Sequence, residues 1–97
     1  MKNELIWNKY AKEDLNNIVQ HIAVESISRA FNLKFNIEYL VLNLIEFPRI
    51  GKLYHINEAF EIRILNFKKY DIYYMIKNTT ITILFIIHTS RNFKNDN

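Results

Sequence analysis

The chain has 97 residues, 13 basic and 10 acidic side chains, 49% hydrophobic residues and no cysteine. One domain with a single core fits that length, while a disulfide framework, a thiol nucleophile and a thiolate metal site are excluded. No apolar run approaches the roughly 18 residues of a membrane-spanning helix, and MKNELIWNKY lacks a signal-peptide core. A cytoplasmic protein without a membrane partner is therefore expected. The net charge of +3 is uneven: residues 1–48 hold five basic and six acidic side chains, and residues 49–97 hold eight and four. An anionic partner for the C-terminal half follows, although Lys68, Lys69 and Lys77 also serve solubility in hairpin turns.

Glu4–Trp7 is short and apolar enough for a first strand, and Asn8 is placed to cap the helix after it. Ala11, Leu15, Ile18, Val19 and Ile22 then recur at helical spacing, opposite Lys12, Glu13, Asn16, Asn17 and Gln20. Val24–Ser28 breaks the pattern, with Ser26 or Ser28 as the cap of a second, longer helix. Ile27, Ala30, Leu33, Ile37, Leu40, Val41 and Leu44 form its main stripe; Phe31, Phe35, Leu42 and Ile45 form another beside it. Pro48 disfavours helix at Phe47 and ends it there, and Gly51, the only glycine, marks a tight turn. Two helices joined this closely pack as a hairpin whose apolar surface needs a sheet to cover it.

The remainder supplies that sheet. Lys52–Ile56 is a short strand. Phe60–Phe67 alternates, with Phe60, Ile62 and Ile64 opposite Glu61, Arg63 and Leu65. After a turn over residues 66–70, Tyr70, Ile72, Tyr74 and Ile76 share one side of the next strand. Asn78-Thr79 closes a hairpin into TTITILFIIHTSRNF, whose Ile81, Ile83, Phe85 and Ile87 lie opposite Leu84 and Ile86. A strand apolar on both sides is buried on both sides. The expected class is α+β: an N-terminal strand, then a helical hairpin on one face of a three- to four-stranded antiparallel sheet, with residues 92–97 frayed.

The histidines His21, His55 and His88 have no paired ligand spacing, and one glycine cannot make a phosphate loop. No metal or cofactor is expected. If Phe60, Ile62 and Ile64 face the helices, Arg63 projects onto the open face of the sheet, near Lys52, His88 and Arg91. Guanidinium groups there would bind phosphate or carboxylate bidentately, and Tyr54, Tyr73 and Phe93 could stack on bases. The competing reading pairs Arg63 with Glu61 or Asp71 and leaves the tyrosines to cover the sheet. The second helix carries more apolar surface than one packing stripe requires, through Phe31, Phe35, Leu42 and Ile45. Either the hairpin buries both stripes or this one is an interface.

The order of landmarks resembles the RelE/ParE superfamily of type II toxin–antitoxin toxins across about residues 5–93. The matching pieces are Ala11, Asp14, Leu15 and Ile18; Ser26 and Ala30; Phe47, Pro48 and Gly51; Arg63; Tyr70, Ile72, Tyr73 and Tyr74; and Ile83–Arg91 with its I-L-F-I-I-H-x-x-R pattern. The resemblance implies a toxin neutralised by a cognate antitoxin in a hetero-oligomer, with Phe31, Phe35, Leu42 and Ile45 as antitoxin contacts. RelE-like members cut messenger RNA on the ribosome without a metal; ParE-like members poison DNA gyrase and need no chemistry of their own. On the nuclease branch, Arg63 and Arg91 would orient phosphate, with Lys52 near the basic strand and His88 as the acid or base. The resemblance departs from that branch at the end of the chain, where Phe93 cannot move a proton, and in having Lys52 alone on its strand. H-T-S-R-N is closer to the ParE branch, which makes Lys52, Arg63, Arg91 and Phe93 target-binding residues and DNA gyrase the expected partner. The alternative is a RelE-like endoribonuclease whose partners are the ribosome and messenger RNA.

Overall fold

The computed structural model describes residues 2–91, the last by its backbone alone. The chain runs β1 (Glu4–Trp7), α1 (Lys9–Ala23), α2 (Ile27–Leu42), a 3-10 turn (Asn43–Ile45), then β2 (Lys52–Ile56), β3 (Glu61–Phe67), β4 (Tyr70–Lys77) and β5 (Thr80–His88), and a 3-10 turn (Thr89–Arg91). The helix starts follow from side-chain caps: Asn8 Oδ1 accepts from Ala11 N at 2.8 Å, and Ser26 Oγ accepts from Arg29 N at 3.2 Å. Regular α-helix stops at Leu42, earlier than expected. The chain stays wound beyond that point, because Phe47 N still reaches Asn43 O at 2.8 Å, one residue before Pro48.

All five strands join one sheet, ordered β1-β5-β4-β3-β2. The antiparallel ladder β2–β5 is the expected one, and β1 extends it in parallel, pairing Glu4 with Thr80 and Trp7 with Ile83. The sheet is thus one strand wider than expected, because the N-terminal strand adds to it. Ala11 and Leu15 of α1, together with Ile37, Val41 and Leu44, pack on Leu65, Ile72, Tyr74, Ile76, Ile81, Ile83 and Ile86 to form the core. Ile27, expected in the buried stripe of α2, is exposed.

Two strands present other faces than their alternation suggested. Glu61, Arg63 and Leu65 pair with Ile76, Tyr74 and Ile72, all core residues, so this row of β3 lies on the helix side. Ile62 and Ile64 pair with Met75 and Tyr73 on the second face. On β5 the register shifts opposite Tyr73 and Tyr74, whose partners are Phe85 and Ile83. Leu84 is therefore the extra residue of a bulge. Beyond it Ile86 turns to the helices, and Phe85 stacks on Tyr73 on the far face, with ring centroids 4.5 Å apart.

The bulge also explains Asp14. β1 ends opposite Ile83, so the outer edge of β5 has no strand partner further on. Asp14 Oδ2 fills that role from α1, accepting from Ile86 N at 2.9 Å. Asp14→Ala leaves this partly buried N–H unpaired and is expected to lower stability by about 1–3 kcal/mol. Asp14→Asn keeps an acceptor and should cost less; urea unfolding of both variants measures the difference.

Candidate functional site

Pro48 turns the chain away from the helices, and the crossover to β2 passes over the helix side of β3. There the sheet extends past the cover of the two helices, and polar groups replace side-chain packing. Glu61 is 8% exposed and bonds Arg49 on one side and Arg63 on the other, at 2.8 Å and 2.9 Å from the two Nε atoms. Arg63 Nη1 also donates to the carbonyls of Gly51, at 2.8 Å, and Arg49, at 3.3 Å. Its side chain is only 17% exposed. The Nε and Nη1 donors of this guanidinium are thus directed at the protein itself. Arg63 does not project onto the open face of the sheet; it clamps the crossover, and its partner is Glu61, as the competing reading had it.

Tyr74, paired with Arg63 across the sheet, completes the cluster. Its hydroxyl donates to Pro48 O at 2.7 Å and accepts from Gly51 N at 3.0 Å. Burial pushes the Tyr74 phenol up from its ordinary pKa, so it remains a donor. Arg49, hydrogen-bonded to Glu61, pulls that carboxyl below the usual carboxylate range; desolvation opposes this and Arg63 adds to it. A carboxyl held low in the folded chain stabilises it above the ordinary pKa of about 4.5, and the contribution is lost as pH falls through and below that value. Acid unfolding of wild type and Glu61→Gln tests this: the gap between their stabilities at pH 7 should shrink towards pH 3.

The remaining expected site residues lie apart. Lys52 is exposed at the start of β2, the edge strand. Tyr73 is 1% exposed, edge-on to Tyr54 and stacked on Phe85, so its ring offers no face to a base; Tyr54 remains exposed. His88 pairs with Tyr70 at the far end of β5, and their rings meet edge to face at 5.5 Å. Ser90 N and its hydroxyl both reach His88 Nδ1, at 3.2 Å and 2.8 Å, which leaves the proton of the neutral ring on Nε2. His88 stands roughly 16 Å from Arg63, counting four residues along the sheet and two strands across it. These two do not converge on one phosphate. The backbone of Arg91 ends the last 3-10 turn; Phe93 and the tail over 92–97 lie outside the described residues.

The second apolar stripe of α2 is on the surface. Phe31 and Phe35 are 65% and 66% exposed, Ile27 and Leu42 are exposed beside them, and Ile45 is half-buried, its carbonyl accepting from Asn3. Tyr39 belongs to this row as well, stacked on Phe35 at 6.2 Å. Its place was legible, four residues after Phe35 and eight after Phe31. The hairpin therefore buries one stripe and presents the other.

Residues 5–93 match the family model described as ParE toxin of type II toxin-antitoxin system, parDE. The chain belongs to that family. Among solved structures, the chromosomal ParDE toxin–antitoxin system from P. aeruginosa contains a chain with the same fold. The two share 22% identity with a TM-score of 0.74, over 89% of this chain and 95% of that one. A search of curated proteins finds no match. As a ParE-family toxin the chain carries the RelE/ParE architecture, with a crossover locked by Arg63 and Tyr74 and an exposed aromatic row on α2. Among the described residues no helix is long and apolar enough to cross a membrane, and no three His, Asp or Glu side chains gather as a metal site.

Proposed function

We propose that this toxin arrests growth by poisoning DNA gyrase and is held silent by a cognate antitoxin laid across α2. The family match carries the first half of this reading. The separation of His88 from Arg63 supports it over the ribonuclease alternative, since hydrolysis or transesterification needs its acid, base and phosphate-orienting groups around one phosphorus. Arg63, committed to Glu61 and two carbonyls, is also a poor candidate for gripping a substrate. On the gyrase reading no general acid or base is needed. The target contacts are Lys52 and the segment that includes Arg91 and Phe93, as the family resemblance suggests, and Arg63 acts by holding the crossover in place.

The antitoxin contact is supported by Ile27, Phe31, Phe35, Tyr39 and Leu42. A row of this size left in water is characteristic of surfaces covered by a partner, and an amphipathic helix fits a stripe with this spacing. The decisive assay is DNA supercoiling by gyrase with purified toxin, which should slow and accumulate cleaved DNA. Unimpaired supercoiling at a large excess of toxin would reject the reading. Codon-phased cuts in translated messages would replace it with the ribonuclease.

A further inference from the structure

Away from the crossover, a groove of about 630 Å³ runs between the helical hairpin and the β3–β4 turn. Its volume falls in the range of roughly 300–1,000 Å³ common to small-molecule sites. Arg29 from the first turn of α2, Lys68 and Lys69 from the turn, and His88 from the end of β5 line it, with Glu25 as the one carboxylate. Glu25 is met by Arg29 at 3.5 Å, and both are largely exposed. Lys68 and Lys69 make no ion pair among the described residues. Lys68 Nζ lies over the Phe67 ring, 5.6 Å from its centroid, so the groove keeps two fixed positive charges that no carboxylate neutralises. His88 adds an N–H donor at Nε2, because Ser90 occupies its other nitrogen.

The turn that carries the two lysines is a two-residue hairpin. Lys68 has φ 53°, in the left-handed region that lysine rarely adopts. The corresponding turn between β4 and β5 uses Asn78, at φ 56°, a residue suited to that conformation. Both two-residue turns take the positive φ that closing such a hairpin asks of the first loop residue, and at residue 68 that place is filled by a charged side chain lining the groove. Tyr70 and Leu33 supply apolar walls, and Asn32 and Asn36 supply amides able to both donate and accept. Cations beside an apolar wall and amides suit a ligand with a phosphate at one end and a flat, hydrogen-bonding group at the other.

We propose that this groove binds a phosphate ester of nucleotide size, its phosphate held by Lys68 and Lys69. The site is separate from the crossover and from the aromatic row of α2, and it does not depend on the gyrase reading. Calorimetry with ATP and fluorescence anisotropy with a labelled single-stranded octanucleotide, both on the full chain, test it and distinguish a free nucleotide from a strand. The variant carries Lys68→Asn, which suits the turn, together with Lys69→Ala. Lys77→Ala, beside the other hairpin turn, controls for loss of general positive charge. Binding of either probe that weakens roughly tenfold or more in the double variant, and within about twofold in Lys77→Ala, supports the site. It is overturned if neither probe binds, if the two variants weaken binding equally, or if an oligoglutamate peptide displaces the probes at lower concentration than ATP. Thermal melting confirms that the double variant is folded. Growth arrest on induction reports on the toxin reading alone, so either idea can fail without the other.

Discussion

Gly51→Ala is expected to remove about 3 kcal/mol of stability. A Cβ at residue 51 would stand 2.6 Å from Tyr74 Oη, 2.8 Å from Tyr74 Cε1 and 2.9 Å from Ile64 O. One of these neighbours is backbone in a central ladder, and the other is a ring with no exposure, so neither can simply swing aside. If the ring shifts, its hydroxyl loses Pro48 O and Gly51 N together. For a domain of this size that loss corresponds to a fall in Tm of roughly 12–24 °C. Tyr74→Phe separates the two causes: it gives up the hydroxyl's bonds without a clash and should cost about 1–3 kcal/mol. Adding Gly51→Ala to Tyr74→Phe should then cost less than it does in the wild type, because the closest contact is gone. Calorimetry or urea unfolding of the four proteins closes that cycle, and strict additivity would contradict the packing described.

The second large effect concerns binding. Phe31→Glu and Phe35→Glu place charges in the middle of the exposed row of α2 and should weaken the antitoxin complex by roughly 100-fold or more each. Neither side chain belongs to the core, and glutamate is a good helix former, so stability should move by no more than about 0.5 kcal/mol. In cells, a toxin bearing either change should remain poisonous when the antitoxin is co-expressed, whereas wild type is neutralised. Lys12→Glu on the exposed side of α1 is the matching control. Unchanged affinity in both phenylalanine variants would mean that the antitoxin docks elsewhere.

Much of this architecture can be read from local signals. Asn8 and Ser26 cap the helices because their oxygens satisfy N–H groups that no earlier turn can reach. Tyr70, Ile72, Tyr74 and Ile76 reveal the core face of β4 by plain alternation. The alternation of β3 misleads because the face turned away from the helices also carries apolar side chains. Ile62 and Ile64 face Met75 and Tyr73, while Glu61 and Arg63 reach the helix side by neutralising each other and bonding to loop carbonyls. A hydrophobicity pattern cannot show that a charged pair will supply its own partners. The bulge at Leu84 is hidden for a related reason: every residue from Ile81 to Ile87 is apolar except Thr82, so a slip by one leaves the pattern unchanged. Asp14 held the missing information, but its partner, Ile86, lies 72 positions away.

That separation bears on synthesis. Glu4 hydrogen-bonds to Thr79, and Trp7 aligns with Ile83, so β1 has nothing to pair with until residues 79–83 have been made. A nascent chain stopped before residue 80 would hold two helices and a three-stranded sheet with its inner edge bare and three of the seven core residues of the sheet, Ile81, Ile83 and Ile86, missing. Premature termination should thus yield proteolysed fragments rather than a partly toxic product, and toxicity should require chains that include β5.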